Sequence, residues 1–233
     1  MIRNFLFSIL FFTGIIFISI IFLPSFFLPK QVVLMGGKLM GHWASFCLRF
    51  VLSVKISIKG KENSINNEKF FIAASHQSMF ETFYLQTVFN SPIFILKKEL
   101  LKIPIFGWYL KKIGSISVNR NKITKDNLGF IEKIKNSIQN SNRPILIFPQ
   151  ATRVPPDVKI PFKKGVGRIY KELGIKCQPV AINSGRVWQK NNVLTLNKSI
   201  TISILNAIDP GIESNNFVNI IEKNIYSELD IIN

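Results

Sequence analysis

An uncharged apolar run at the amino terminus, followed from Val54 by short β-rich runs alternating with helical stripes, predicts an α/β fold. The expected architecture is a central, largely parallel sheet flanked by helices, behind an N-terminal hydrophobic helical hairpin. Residues 1–52 read as membrane anchor and interfacial helices, and residues 53–233 as one α/β domain. The chain of 233 residues is too short for two full domains and long enough for one domain with an appendage.

The first element is the stretch Phe5 to Leu23, which carries no charge and consists almost wholly of Phe, Ile, Leu, Ser, Thr and Gly. Its length matches the ~20 residues that a helix needs to cross a bilayer core. A cleaved signal peptide would have a shorter apolar stretch and an Ala-x-Ala-like site. Here Pro24-Ser25-Phe26-Phe27-Leu28-Pro29 follows instead, so the run reads as a retained anchor. The second element, Gln31 to Leu52, is interrupted by Lys38, His42 and Arg49, which suits an interfacial or re-entrant helix that completes a hairpin. Only Arg3 and the amino terminus precede the anchor, and positive residues crowd after it. The positive-inside tendency therefore places the body of the chain in the cytoplasm.

The charge balance points the same way. Thirty Lys and Arg against 13 Asp and Glu leave a formal +17, which draws the chain to anionic surfaces, either nucleic acid or the negative leaflet of a membrane. The apolar amino terminus selects the membrane, and no nucleic-acid partner is expected. Cys47 and Cys177 are the only cysteines and His42 and His76 the only histidines; no disulfide framework and no metal site is implied.

After Leu52 the runs 54–58, 70–74, 93–96, 115–118, 145–148, 180–182 and 200–205 read as strands. Leu128, Ile131, Ile134 and Ile138 make a helical stripe after Thr124, and Phe217, Ile220, Ile221, Ile225 and Leu229 make another. Gly165-Val166-Gly167 lacks the third glycine of a dinucleotide loop and reads as the opening of a helix.

Directly after the run 70–74 stands Ser75-His76-Gln77-Ser78-Met79-Phe80-Glu81. The carboxyl end of a buried strand is where α/β folds place their sites. On one continuous helix a spacing of five puts two side chains on different faces. With His76 in a loop and Glu81 in the first helical turn, the two can meet. A carboxylate that takes one imidazole N–H fixes the tautomer and leaves the other nitrogen free to accept a proton, which makes a general base for a hydroxyl. The same residues also fit a purely structural capping box, Ser78-x-x-Glu81, in which Glu81 reaches back to the Ser78 amide.

Further blocks follow in order: Ile95-Leu96-Lys97-Lys98-Glu99-Leu100, Ile103-Pro104-Ile105-Phe106-Gly107-Trp108 and Gly114-Ser115-Ile116-Ser117-Val118-Asn119-Arg120; then Phe148-Pro149-Gln150-Ala151-Thr152-Arg153; then Gln178-Pro179-Val180-Ala181-Ile182-Asn183-Ser184-Gly185. With His76 to Glu81, these blocks from about Phe70 to Gly185 resemble the glycerolipid acyltransferase family, in particular its bacterial 1-acylglycerol-3-phosphate acyltransferases. The resemblance implies a glycerolipid-acyltransferase-like fold and transfer of a fatty acyl group from acyl-CoA or acyl carrier protein to the sn-2 hydroxyl of lysophosphatidic acid, giving phosphatidic acid. No cofactor is expected beyond that co-substrate. It implies His76 as base and Glu81 as its orienting acid. It also implies Lys97, Arg120 and Arg153 as phosphate-binding cations, and Gln77, Ser78, Gly107, Pro149, Gln150 and Thr152 as residues positioning acyl chain or acceptor. The expected location is the bacterial inner membrane, catalytic domain on the cytoplasmic face.

Three residues depart from the family pattern. Glu81 stands for Asp, Gln150 for a Glu that often helps fix substrate, and Ala151 for Gly, putting a Cβ where the backbone can need positive φ. These departures leave other acceptors open, such as lyso-ornithine lipid or glycerol 3-phosphate, and also an inactive family member. No Gly-x-Ser-x-Gly elbow occurs, so a serine nucleophile is disfavoured.

Overall fold

The computed structural model describes residues 2–118 and 129–233, and the chain divides into two compact units. One is Met1–Cys47 with Phe83–Ile145, the other Leu48–Thr82 with Leu146–Asn233. The N-terminal residues 1–47 thus share a unit with residues 83–145.

In the first unit α1 (Ile2–Ile21) buries Phe7, Phe11 and Ile18 and exposes most of its other apolar side chains. Among the described residues it is the one helix long and apolar enough to cross a membrane. Pro24 and Pro29 bracket a short 3₁₀ turn, after which α2 (Lys30–Leu52) begins. A Cβ on Gly14 would lie 2.0 Å from the Trp43 indole nitrogen, so the missing side chain lets α1 and α2 meet as the expected hairpin. The hairpin is tied onward: the Phe11 ring meets Phe83 of α3 (Phe80–Val88) edge-on at 5.6 Å, and the Tyr109 hydroxyl of α4 (Phe106–Lys112) donates to the Ser19 carbonyl at 2.6 Å. β3 (Ile93–Lys97) and β4 (Ile116–Val118) pair in parallel, Ile95 opposite Ile116. α5 (Phe130–Gln139) buries Ile134 and Ile138 of the expected stripe; Thr124 and Leu128 lie outside the described residues. Arg143 donates to the carbonyls of Ser91 (2.5 Å), Ile113 (2.6 Å) and Pro92 (3.2 Å), binding three chain turns together. Burial pulls its guanidinium down to about 10, so it stays charged at neutral pH.

The second unit holds β1 (Lys55–Lys59), β2 (Phe70–Ala74), all but the first residue of β5 (Ile145–Ile147), α6 (Gly165–Leu173), β6 (Lys176–Ile182), β7 (Ser199–Ile204) and α7 (Ser214–Ile232). Its strand order is β1-β7-β6-β2-β5. β1 runs parallel to β7 and β2 parallel to β6, with Ala74 opposite Val180. β6 and β7 are antiparallel, Ile182 opposite Ile202. The chain between them carries only a single 3₁₀ turn, and antiparallel neighbours need no crossover helix. β2 and β6 are buried almost throughout, as befits strands covered on both faces. Stacking of Tyr170 on Phe217, ring centroids 3.7 Å apart, with Phe71 edge-on to both, ties α6 and α7 to β2. The α/β class, the largely parallel sheet and the helical N-terminus are as the sequence predicts; β6 starts four residues earlier than expected.

Candidate active site

The site is built where β2, β5 and β6 end. Ser75 continues the pairing of β2 to β6 after the strand proper: its amide donates to the Val180 carbonyl at 3.0 Å, and its hydroxyl accepts from the Ile182 amide at 2.8 Å. The next residue, His76, is gripped from the β5 side. Its amide donates to Gln150 Oε1 at 2.6 Å, its carbonyl accepts from the Val154 amide at 2.8 Å, and its ring stacks on Phe148 with centroids 4.1 Å apart. Backbone and ring are thus fixed by the segment 148–154.

Glu81 enters α3 one residue after its start and is completely buried. One oxygen, Oε1, accepts from the amides of Gln77 (3.2 Å) and Ser78 (3.1 Å) and from the Ser184 hydroxyl; the other, Oε2, accepts from the Ser78 amide at 3.0 Å. Oε2 also faces His76 Nδ1 at 3.5 Å. Nδ1 is buried and makes no hydrogen bond among the described residues, so this contact is an electrostatic one, slightly too long or too poorly aligned for a bond. The capping bond to the Ser78 amide is present, and the same carboxylate faces the imidazole without a hydrogen bond to it. The imidazole side chain is 15% exposed, and with Nδ1 buried that exposure falls on the other ring atoms. Nε2 is then the nitrogen left for an acceptor hydroxyl.

The residues expected to position substrate divide sharply. Gln77, Ser78 and Gln150 are buried, and their polar groups are taken up by the protein: Gln77 Oε1 accepts from the Gly185 amide at 3.0 Å, Ser78 Oγ from the Phe80 amide at 2.8 Å, and Gln150 bonds His76 and Tyr226. These bonds brace the His76–Glu81 loop. Pro149 is buried too, its carbonyl taking the Lys163 amide at 2.9 Å. Thr152 is exposed and accepts from Lys190 Nζ at 3.3 Å. Ala151 sits at φ 58°, the left-handed conformation that its family counterpart Gly adopts freely.

Among the cations, Arg153 is half-buried in the segment that grips His76 and makes no ion pair or hydrogen bond among the described residues. Nearby basic groups are already paired, Arg186 with Asp157 at 2.5 Å and Lys159 with Asp230 at 2.6 Å. Lys97 lies in the first unit at the end of β3, and its ammonium is 3.2 Å from Glu99 Oε1. The Glu99 carboxyl is held below the usual carboxylate range by its own amide and then by Lys97, so the Lys97 charge is shared. Gly107 belongs to the same unit. A Cβ there would meet the Leu101 carbonyl oxygen at 2.3 Å, which makes it a packing glycine. Arg120 lies outside the described residues. Among the described residues no group of three or more His, Cys, Asp or Glu side chains is gathered as a metal site would require.

Sequence reasoning missed Ser184, Tyr226 and the Phe148 stacking. Ser184 and Phe148 stand inside recognised blocks, but nothing in the blocks says which way their side chains turn. Tyr226 stands on α7, whose amphipathic stripe marks it only as core.

Comparison with known proteins identifies the family of the chain. The family model Acyltransferase matches residues 55–183. The 1-acyl-sn-glycerol-3-phosphate acyltransferase of Pseudomonas aeruginosa is 32% identical over 152 residues, which cover 64% of this chain and 58% of that protein. Its namesake from Helicobacter pylori is 32% identical over 148 residues, 61% of each chain. The chain thus spans about three fifths of the length of the curated relatives it matches. The crystal structure of the 1-acyl-sn-glycerophosphate acyltransferase PlsC from Thermotoga maritima superposes with a TM-score of 0.79 at 23% identity, over 98% of this chain and 95% of that one, a likeness of fold. With the match covering more than half of its length, the chain belongs to the Acyltransferase family.

Proposed function

We propose that the chain is a 1-acyl-sn-glycerol-3-phosphate acyltransferase, and the observation that carries the reading is the buried Glu81 carboxylate facing His76 Nδ1. Nε2 of His76 takes the proton from the sn-2 hydroxyl of lysophosphatidic acid as the oxygen attacks the thioester carbonyl of acyl-CoA or acyl carrier protein. The C–O bond forms, the C–S bond breaks, and the proton passes from the imidazolium to the departing thiolate. Glu81 stabilises the imidazolium while it exists and keeps the ring turned, and it needs no proton of its own for this. Arg153, unpaired among the described residues and next to Val154, whose amide grips the His76 carbonyl, offers the acceptor phosphate a bidentate fork. Relatives bearing this name in two bacteria support the acceptor.

The membrane placement belongs to the same proposal. The apolar α1 holds the protein at the lipid in which both acceptor and product reside. The excess of positive residues after it supports a body on the cytoplasmic face of the inner membrane.

Membranes or detergent-solubilised protein given lysophosphatidic acid with acyl-CoA, or with acyl carrier protein charged with the same chain, should yield phosphatidic acid by mass spectrometry. His76→Ala should lower the rate by roughly 10²–10⁴-fold while circular dichroism stays that of the parent. A folded His76→Ala protein with parental turnover overturns the mechanism; acylation of other lyso-lipids alone overturns the substrate.

A further inference from the structure

We propose that Gln150, with Tyr226 behind it, is a positioning residue for His76, and that its amide cannot be exchanged for the carboxylate usual at this place in the motif. The inference rests on the reading of His76 as the base.

The case is one of matching donors to acceptors in a closed space. Gln150 is 1% exposed, so its two polar atoms must find partners inside the protein. Oε1 accepts the His76 amide at 2.6 Å, and Nε2 donates to the Tyr226 hydroxyl at 3.3 Å. The phenol is itself fully used. Its one proton goes to the Ile160 carbonyl at 2.7 Å, and its oxygen accepts from the Ile160 amide at 3.0 Å as well as from Gln150. A chain of hydrogen bonds therefore runs from Ile160 through Tyr226 and Gln150 to the backbone of the proposed base.

A carboxylate at position 150 still accepts from His76, but its second oxygen then confronts the lone pairs of a phenol whose only proton is committed. Either Tyr226 turns its proton away from Ile160, or the new acid takes up a proton and imitates the amide. Burial favours the second course by raising the pKa of a carboxyl group. The surrounding groups that titrate or carry charge are His76 with Glu81 beyond it on the β2–α3 side, Tyr226 with Glu222 and Asp230 on α7, and Lys159 and Arg153 on the chain after β5; Lys159 Nζ lies 6.0 Å from the Tyr226 ring centre. A protonated Glu at 150 leaves the grip on His76 intact, and an ionised one disturbs it. Competence is then present at low pH and lost as the pH rises through the new group, opposite in sense to the base, which gains competence on losing its proton.

The test uses the full chain with lysophosphatidic acid and palmitoyl-CoA, measuring kcat and KM from about pH 5 to 9 for the parent, Gln150→Glu, Gln150→Met, Tyr226→Phe and His76→Ala. Gln150→Met keeps the length and removes the acceptor for His76. It should lower kcat roughly tenfold and leave the KM for lysophosphatidic acid within about twofold. Gln150→Glu should show an added ionisation, with kcat falling roughly tenfold as the pH rises through it. If neither variant at 150 folds by thermal melting, Tyr226→Phe carries the test, with a several-fold loss in kcat at constant KM expected. An inactive His76→Ala together with position-150 variants that keep the parental kcat and pH profile overturns the inference alone. A rise in KM at unchanged kcat also overturns it, since Gln150 would then touch the acceptor. An active His76→Ala overturns the reading beneath it.

Discussion

Ser184 ties a single hydroxyl to the carboxylate that faces His76. It is fully buried in the turn after β6 and donates to the Glu81 oxygen that also takes the Gln77 and Ser78 amides. Hydrogen bonds to a charged group contribute about 1.5–3 kcal/mol, against about 1 for a neutral pair. Ser184→Ala should therefore lower the melting temperature and reduce kcat about tenfold, with acceptor KM unchanged; a variant with parental kcat removes Ser184 from the positioning of the carboxylate. His76 and Glu81 were legible because their partnership is local, five residues apart across a strand end. Ser184 comes from 103 residues further on, and Gln150 from 74 residues beyond His76, and no periodicity reports on such distances. The motif names Gln150 but not its direction, and only burial turns it from a candidate ligand contact into a brace.

At the scale of elements, the connection after β5 carries the decisive local conformation. The Ala151 amide closes a turn onto the Phe148 carbonyl at 2.9 Å, and its backbone has φ 58°. A non-glycine residue in that region is disfavoured by roughly 1–2 kcal/mol, partly offset by the lower entropy of alanine in the unfolded chain. Ala151→Gly should raise stability by about 1 kcal/mol, which for a chain of this size is roughly 2–4 °C in melting temperature, and calorimetry can read it. A lower melting temperature contradicts the strain. Further along the same connection, Glu222, Tyr226 and Asp230, spaced one helical turn apart on α7, hold Phe162, Ile160 and Lys159 in succession. Strand positions were legible wherever branched residues run together. β6 runs through Gln178 and Pro179, residue types that are unusual in a central strand. In the fold the Gln178 side chain is satisfied by the Ile65 amide at 3.1 Å and the Leu205 carbonyl at 2.5 Å, which is what lets a polar residue stand there.

For the molecule as a whole, charge and apolar surface make separable demands on the lipid. The formal +17 contributes a screened, long-range attraction, whereas α1 exposes Phe5, Phe12, Ile16 and Phe17 among others and contributes an attraction that salt does not weaken. Sedimentation with vesicles should show that the intact chain stays bound as salt rises from about 50 to 500 mM, whereas a chain lacking residues 2–21 binds only anionic vesicles and leaves them over that range. Release of the intact chain by salt contradicts an apolar hold. The division of labour was plain in the sequence, because an uncharged run and a net charge are compositional facts. The joining of the N-terminal helices to residues 83–145 in one unit was not, since it depends on contacts such as Phe11 with Phe83 and Tyr109 with Ser19.

Glu81 caps the head of α3 with both oxygens, and one of them, Oε2, also faces His76 Nδ1. Fraying at the head of that helix therefore withdraws the carboxylate first, while the Phe148 stacking and the backbone bonds from Gln150 and Val154 still hold the imidazole. The first turn of one helix is thus both a part of the scaffold and the seat of the charge beside the imidazole.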